Sequence, residues 1–287
     1  MLLQASARGD IQHPLLLGAP CSFLQYADDT LIIIKADSAH LATLKGLLQE
    51  LSTMIGLHIN YEKSTVIPIA IDINQAYSLA ATFGCPLASF PQTYLRLPLS
   101  TNKLRLCDLQ PLVRAVAGYI PGWCGPLLTP SGCTTLANAV LGAKPVYAMC
   151  SVLLLQCTIE VDDAIRRAFI WTDESQCNGG QCKSAWKMVC WDKLHGDLGV
   201  KDLAIRNRGL LSKFQAKLQL PPTTNWLRWF WKFYGPAAGH DLGDSYHLDT
   251  PIWTTLLKLL PEFRQCTQVH LGDGANYCFW FDHWLGP

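Results

Sequence analysis

The sequence predicts an α+β fold in which a small β-rich region precedes a mostly helical remainder. Three observations carry this prediction. Two short apolar runs flank an acidic turn near the N-terminus, leucines recur at helical spacing directly afterwards, and the pattern from Asp108 to about Trp171 is mostly helical. All ten tryptophans lie at or after Trp123, so the two ends of the chain pack differently. We therefore expect a boundary near residues 100 to 120.

The first predicted element is a β-hairpin. Its arms are Cys21 to Tyr26 and Thr30 to Lys35, and Ala27-Asp28-Asp29 forms the turn between them. The outer arm contains Leu31 to Ile34, a run of the apolar and β-branched residues that favour a buried strand. Without further strands beside it, this arm would have an unpaired edge, so we expect exposed apolar surface there.

A helix is predicted after the hairpin. Apolar residues recur at helical spacing from Leu41 to Ile55, Ser38 is available as the N-cap, and Gly56 lies just past the end. The elements that follow are strands over Leu57 to Asn60 and Thr65 to Ile69, a helix over Asp72 to Phe83 that ends at Gly84 and Pro86, and a strand over Thr93 to Leu97. Beyond them the helical region is interrupted by Pro121, Pro130 and Pro145.

Composition limits the class of protein. A chain of 287 residues that is 49% hydrophobic and 16% charged can bury a substantial core, which favours a globular protein of one or two domains. The 12 cysteines form no disulfide framework and the N-terminus has no signal-peptide pattern, so we expect a reducing intracellular location, nucleus or cytoplasm. The apolar run Val146 to Ile159 is shorter than the roughly 20 residues that cross a bilayer, so no membrane role is indicated.

The net charge of +1 hides a segregation of charge along the chain. Residues 183–232 hold 10 Lys and Arg against 3 Asp and Glu, whereas residues 233–287 hold 2 against 6. The basic residues of this block are Lys183, Lys187, Lys193, Lys201, Arg206, Arg208, Lys213, Lys217, Arg228 and Lys232. Cations and tryptophans together are typical of single-strand or template binding. The alternative is a set of helices with solvated basic faces and tryptophans in the core.

The acidic turn suggests phosphoryl-transfer chemistry. Side chains alternate along a strand, so Asp28 and Asp29 can face one site only where the turn twists them together. Nucleotidyl transfer by the two-metal route uses carboxylates from more than one strand to hold two ions about 3.5 to 4 Å apart. The alternative is a solvated Asp-Asp turn, since Asp is a common turn residue.

The neighbouring residues resemble a known family. Leu24 to Ile32 resembles the central motif of reverse transcriptases, and Gly56 to Ser64 is similar to the next motif of LINE-type (non-LTR) reverse transcriptases, best known from plant genomes. Tyr94 to Ser100 resembles the hairpin that grips the primer. Later stretches resemble the family's thumb and extension: Leu136 to Pro145 with Tyr147 and Met149, Ile165 to Trp171, Leu198 to Leu203, and Phe279 to Gly286.

The resemblance implies an RNA-directed DNA polymerase with an RNA template and a DNA primer as partners. Asp28 and Asp29 would bind catalytic Mg²⁺, and Tyr26 would lie near the primer terminus. Lys63 would protonate or clamp the departing pyrophosphate, and Tyr94 would belong to the primer-gripping hairpin. The implied regions are a partial palm over residues 1–104, a helical thumb-like region over 105–175, and a tryptophan-rich mixed extension over 176–287.

Two features depart from the family pattern. Arg96 stands where the family usually has glycine, which affects the turn of the primer-gripping hairpin. The family also has fingers and a metal-binding carboxylate on a strand before the hairpin, whereas Asp10 reads as a loop residue. We therefore expect weak Mg²⁺ binding and no polymerase activity from this chain alone. The alternatives are a nucleic-acid-binding fragment and a non-functional relic of a decayed element.

Two sets of cysteines and histidines have spacings near those of zinc sites. One set is Cys266, His270, Cys278 and His283, and the other is Cys177, Cys182, Cys190 and His195. Zinc sites more often place the first two ligands two to four residues apart. The competing interpretation of residues 266–283 is a strand pair, since Leu271 to Ala275 reads as a turn.

Overall fold

The computed structural model describes residues 2–14, 23–118, 127–172, 174, 176–221, 223–234, 249–268 and 270. The described residues form two compact units. The first unit takes residues from 1–102 and 223–233, and the second takes residues from 103–222 and 234–287. Helices dominate, and two small two-stranded sheets accompany them in the first unit. The predicted α+β class is confirmed, and the division into three regions stays a prediction.

The first unit begins with helix α1, Leu2–Arg8, and the predicted hairpin. Strands β1, Phe23–Tyr26, and β2, Asp29–Ile32, pair antiparallel with Phe23 opposite Ile32 and Tyr26 opposite Asp29. A hairpin is therefore confirmed at this place, but its outer strand begins at Asp29 and ends at Ile32, so the predicted arm of Thr30 to Lys35 and the three-residue turn are wrong in their bounds. Ile32 and Ile34 pack against a small core around Leu44, whereas Ile33 is 38% exposed. Burial thus alternates along the outer arm, as the side-chain direction of an extended chain requires.

Both predicted helices of this unit are present. Helix α2 spans Ser38–Ile55 and α3 spans Ile73–Phe83. Asp72 caps α3 by accepting hydrogen bonds from two backbone N–H groups, and Gly84 ends it with a φ of 89°. The N-cap of α2 is Asp37, whose carboxylate accepts from the Ala39 N–H at 2.7 Å, so the prediction of Ser38 is wrong by one residue. Gly56 ends α2 as predicted, with a φ of 70°.

The strands predicted between these helices are wrong. Leu57 to Asn60 has no strand, and in Thr65 to Ile69 only Val66 pairs, through one parallel bridge to Leu87. A strand requires a partner along its length, and strand propensity supplies none. Leu57 is 69% exposed in consequence.

A second hairpin stands where one strand was predicted. Strands β3, Gln92–Tyr94, and β4, Leu97–Leu99, pair antiparallel around a two-residue turn. Leu95 and Arg96 in that turn have φ values of 49° and 63°. Positive φ at both central residues matches the twist of a two-residue hairpin, which is why Asn-Gly is common there. The prediction of a continuous strand from Thr93 to Leu97 is therefore wrong.

The second unit is built on helices α4, Leu106–Ala117, α5, Pro130–Ala139, α6, Val146–Met149, and α7, Gln156–Thr172. Phe169 and Leu141 are fully buried in its main core, together with Val116 and Ala137. Helix α7 packs against both α4 and α5. The predicted helical region is confirmed over its described residues, and Pro130 starts a helix there.

Helices α8, Trp186–Val189, α9, Leu203–Leu218, and α11, Pro251–Gln265, complete the second unit. Helix α9 packs against α6, α7 and α11. Helix α10 spans Asn225–Tyr234, and all of it except Tyr234 belongs to the first unit. The side chain of Phe230 on this helix is buried. No helix among the described residues is long and apolar enough to cross a membrane.

Candidate functional site

The hairpin of β1 and β2 presents the predicted catalytic residues. Ala27 and Asp28 form its two-residue turn, and Ala27 has a φ of 53°. Asp28 and Asp29 are exposed, and Tyr26 is 67% exposed. The turn therefore brings two adjacent carboxylates to one end of the hairpin, where both can meet a ligand from solvent.

A two-metal site needs carboxylates from more than one strand, so two carboxylates on one hairpin could supply part of such a site. Carboxylate oxygens are the ligands that Mg²⁺ prefers, so Asp28 and Asp29 fit this ion. Within the described ranges, no group of three or more His, Cys, Asp or Glu could hold a metal ion. Asp10 lies in a bend after α1, as expected of a loop residue. Its Oδ2 forms an ion pair with Arg8 Nε at 3.0 Å.

The hydroxyl of Tyr94 connects the two hairpins. Its Oη donates to the carbonyl oxygen of Leu24 at 3.5 Å, at the long end of the hydrogen-bond range. Leu24 lies on β1, directly across from Leu31. The structure thus brings Tyr94 to the strand that carries Tyr26, although the two residues are far apart in sequence.

Lys63 lies in a turn after α2 and is exposed. Asn60 shapes that turn: its side-chain oxygen accepts from the Lys63 N–H at 3.0 Å, and its carbonyl accepts from Ser64 Oγ at 2.9 Å. Among the described residues, no hydrogen bond or ion pair connects Lys63 to Asp28 or Asp29. The role that the resemblance implies for Lys63 stays a prediction.

A polar cluster in the second unit was not predicted. Arg166 on α7 is fully buried, and its Nη1 donates to Asp163 Oδ1 at 2.7 Å. Its Nη2 donates to the carbonyl of Lys201 at 2.8 Å, and the guanidinium lies 5.4 Å from the ring centre of Trp186. A buried guanidinium needs partners of this kind, because an uncompensated buried charge is costly.

Asn138 also holds the segment after α8, through two hydrogen bonds to its backbone. Its Oδ1 accepts from the Lys201 N–H at 3.0 Å, and its Nδ2 donates to the Gly199 carbonyl at 3.1 Å. Gly199 has a φ of 64°, and a Cβ there would lie 2.9 Å from Lys193 Cγ. Three of the four later stretches that resemble the family motifs therefore meet around Arg166.

Asp162 and Thr158 are buried on the same face of α7. Both side chains are fully buried, and neither Asp162 oxygen nor Thr158 Oγ1 has a hydrogen-bond partner in the part of the chain that the structure describes. Burial, reinforced by the nearby charge of Asp163 and opposed by Arg166, raises the pKa of Asp162 to about 7. Burial also raises the pKa of Asp163, against the opposing charge of Arg166.

A sequence signal for this cluster exists. In α7 the buried positions include Ile159, Asp162, Ile165, Arg166 and Phe169. An acid and a base thus occupy positions that the helical period assigns to the core. Charged residues at core positions predict buried, paired groups, so the cluster could have been found from this spacing.

The predicted nucleic-acid-binding residues of the basic block differ in their surroundings. Lys183, Lys187 and Lys213 are exposed, and Lys213 Nζ lies 5.1 Å from the ring centre of Phe214. Arg208 is exposed, and its Nη1 forms an ion pair with Glu262 Oε1 at 3.4 Å. Arg206 is half-buried, and its Nη1 donates to the Gly142 carbonyl at 3.0 Å.

The cysteine and histidine sets do not form a metal centre in the described ranges. Cys177 and Cys182 lie together, with their sulfurs 3.7 Å apart, but Cys190 and His195 do not complete a group with them. In the other set, Cys278 and His283 lie outside the described residues, as do Leu271 to Ala275 and Phe279 to Gly286.

A serine and a histidine meet at the end of α2. Ser52 Oγ lies 3.1 Å from His58 Nδ1 and donates its own proton to the Leu57 carbonyl at 2.6 Å. The hydroxyl therefore accepts from the imidazole, which is the reverse of the proton direction that activates a nucleophile. The pair fixes the chain after α2.

Comparison with known proteins gives one distant relative. A putative ribonuclease H protein of Arabidopsis thaliana is 25% identical to the chain over 194 residues, which is 66% of this chain and 31% of the relative. The chain thus spans about a third of the length of the relative it matches. No family model matches, and no solved structure matches.

Proposed function

We propose that the chain is part of a LINE-type reverse transcriptase and supplies two metal-binding carboxylates of its polymerase site. The observation that carries the proposal is the first hairpin, whose turn presents Asp28 and Asp29 to solvent beside exposed Tyr26. A polymerase needs its carboxylates at such an accessible turn, because the ions, the primer terminus and the incoming nucleotide all meet there.

The second hairpin supports this proposal. Tyr94 belongs to the stretch that resembles the primer-gripping hairpin, and its hydroxyl reaches β1. The proposal needs these two hairpins to be neighbours, since the primer terminus must lie beside the carboxylates.

The second unit supports a thumb-like assignment. Asn138, Arg166 and Lys201 come from three stretches that resemble consecutive motifs of the family, and hydrogen bonds join them. Hydrogen bonds between them place the three stretches in one folded unit, as the thumb-like assignment requires. Under the proposal, this unit is a rigid helical body that faces the template and primer.

The relative is compatible with the proposal. Its name refers to ribonuclease H, and a ribonuclease H and a reverse transcriptase both act on nucleic acid.

When bound, Mg²⁺ would stabilise negative charge on the transferring phosphoryl group. Asp28 and Asp29 would hold the ion through their carboxylate oxygens. Tyr26 would position the primer end. Because the described residues offer two ligands, the proposal expects weak affinity and no synthesis by this chain alone.

The test combines ion binding with primer extension on an RNA template. Titration calorimetry should give Mg²⁺ binding in the millimolar range for the wild type and none for Asp28→Asn with Asp29→Asn. Asp10→Asn is the matched control and should leave the weak binding unchanged. Equal binding by the wild type and the double variant would contradict the assignment of the two carboxylates. Templated DNA synthesis by the chain alone would contradict the statement that its polymerase site is incomplete.

The second candidate function is nucleic-acid binding without catalysis. It is favoured by the exposed positions of Lys183, Lys187 and Lys213 in a block with an excess of basic residues. Each phosphate contact changes the slope of the logarithm of affinity against the logarithm of salt by about 0.9 on a duplex and about 0.7 on a single strand.

Filter binding with a single-stranded RNA measures this candidate function. Replacing Lys183, Lys187 and Lys213 by Ala should reduce the magnitude of the salt slope by about 2, since three contacts are removed. Replacing Lys35 and Lys103, which are also exposed, is the control and should leave the slope unchanged. Absent or salt-insensitive RNA binding by the wild type would refute this candidate.

A further inference from the structure

Two cysteines of the second unit lie side by side on a cleft. The sulfurs of Cys177 and Cys182 are 3.7 Å apart, and both side chains are half-buried. The cleft has a volume of about 380 Å³, and its lining includes both thiols together with Arg167 and Trp186. The proposed polymerase role does not use this cleft, and Trp186 is the member of the basic, tryptophan-containing block that lines it.

The chain between the two cysteines forms a short turn that holds the thiols on the same side. Residues Gly179–Gln181 form one turn of 3₁₀ helix. The Asn178 N–H donates to Gln181 Oε1 at 2.7 Å, and the Cys182 N–H donates to the Gly179 carbonyl at 3.2 Å.

The turn also has room to move. A Cβ added at Gly179 or Gly180 would meet no atom within 4 Å. A disulfide has a sulfur–sulfur distance of about 2.05 Å, so the two sulfurs need to approach by roughly 1.7 Å. A glycine-containing turn in open space can supply this movement.

We propose that Cys177 and Cys182 form a redox-active dithiol that glutathione-type disulfides oxidise to an intramolecular disulfide. One thiolate attacks a sulfur of the small disulfide, which forms a mixed disulfide and releases one small thiolate. The second protein thiolate then attacks the protein sulfur of the mixed disulfide and releases the other. The protein loses two electrons and two protons, and the small disulfide gains both.

The cleft favours an anionic disulfide. Arg167 lines the cleft beside the thiols, and its guanidinium suits the carboxylates that glutathione carries. The reducing location expected from the cysteine pattern would make the reaction reversible. Burial raises the pKa of the Cys190 thiol to about 11 and keeps it protonated.

The reaction should accelerate above neutral pH. Burial and the neighbouring Cys177 raise the pKa of the Cys182 thiol, against the opposing charge of Arg167. Since the thiolate is the nucleophile, a raised pKa moves the increase in rate to higher pH.

The test treats the whole chain with glutathione disulfide and identifies the products by mass spectrometry of peptides. The wild type should yield a peptide pair linked through Cys177 and Cys182. Cys177→Ser should instead accumulate glutathione on Cys182, at least about tenfold above the wild type, because no neighbouring thiol resolves the adduct. Exposed Cys157 is the internal reference for an isolated thiol.

Two further measurements keep the proposal falsifiable if Cys177→Ser fails to fold. Phenylarsine oxide, which bridges two adjacent thiols, should bind the wild type across Cys177 and Cys182. Arg167→Ala should slow oxidation by glutathione disulfide more than oxidation by uncharged hydroxyethyl disulfide, because both reactions lose the charge that lowers the pKa of Cys182 but only glutathione disulfide loses a partner for its carboxylates. The proposal is overturned if wild-type Cys177 and Cys182 both retain glutathione, or if both stay reduced while Cys157 reacts.

Discussion

The hairpin that carries Asp28 and Asp29 and the cluster around Arg166 organise polar residues in opposite ways. The hairpin exposes its carboxylates on a turn in which Ala27 has positive φ. The cluster buries Arg166 completely and fixes it by hydrogen bonds to Asp163 and Lys201. A ligand-binding group must be accessible, whereas a group that joins helices must be enclosed and satisfied. Removing the first kind should affect ligand binding, and removing the second should affect folding.

The largest expected effect on stability comes from substitution of Arg166. Arg166→Ala removes the partner of Asp163 and leaves the Lys201 carbonyl without its side-chain donor, so we expect the free energy of unfolding of the second unit to fall by about 3 to 5 kcal/mol. Denaturant unfolding measures the loss. Arg114→Ala, on the exposed face of α4, is the control and should change it by less than about 0.5 kcal/mol. Equal effects would show that the cluster does not hold the unit together.

The next effect is a pH dependence of the free energy of unfolding, which arises from Asp162. Its folded pKa of about 7 lies above its ordinary value of 3.8, so the folded state binds the proton more tightly than the unfolded state. Its contribution to stability is therefore present at low pH and is lost as pH rises through about 7. Between pH 5 and pH 8 the loss amounts to about 2 to 3 kcal/mol.

Comparison with Asp162→Asn removes the titration of Asp162 together with its electrostatic effect on the neighbouring Asp163. The difference in free energy of unfolding between wild type and variant should change by that amount between the two pH values. A constant difference would mean that Asp162 keeps its charge in the folded protein. It would then need a partner that the described residues do not show.

A smaller effect is expected in the second hairpin. Arg96 has a φ of 63°, a conformation that glycine adopts without strain, so Arg96→Gly should stabilise the first unit by about 1 kcal/mol. Arg114→Gly makes the same chemical change within α4 and should destabilise the second unit by about 1 kcal/mol. Hydrogen exchange, which resolves the two units, measures both. A destabilising Arg96→Gly would indicate that the arginine side chain stabilises the turn.

The smallest effect on stability is expected at the first hairpin. Asp28→Asn and Asp29→Asn remove charges that no described residue pairs, so each should change the free energy of unfolding by less than about 0.5 kcal/mol. A large loss would mean that these carboxylates hold the fold rather than a ligand.

Short-range sequence patterns predicted the elements whose structure depends mainly on neighbouring residues. The first hairpin, the end of α2 at Gly56, and α3 with its end at Gly84 follow from alternation, helical spacing and glycine caps. The strands predicted over Leu57 to Asn60 and Thr65 to Ile69 failed because a strand depends on a distant partner. Strand propensity missed the second hairpin because non-glycine residues adopt positive φ in its turn, whereas the resemblance of Tyr94 to Ser100 implied a hairpin there.

The site was predictable to a similar degree. The carboxylates and Tyr94 were predicted from short motifs, and the Tyr94 hydroxyl contacts the Leu24 carbonyl on β1, while their functional roles stay predictions. The Arg166 cluster has its signal in core-position charges, but its partners Asn138 and Lys201 lie far from α7 in sequence. Such partners are set by tertiary packing, which one sequence does not display.

The interrupted course of the first unit has a consequence for how the chain folds. Its residues come from 1–102 and 223–233, with most of the second unit between them. Closing so long a loop costs entropy before any contact is gained, and contacts distant in sequence slow folding. During synthesis from the N-terminus, the first unit begins early but receives its last helix only after most of the second has emerged. We therefore expect the second unit to reach its folded state before the first is complete.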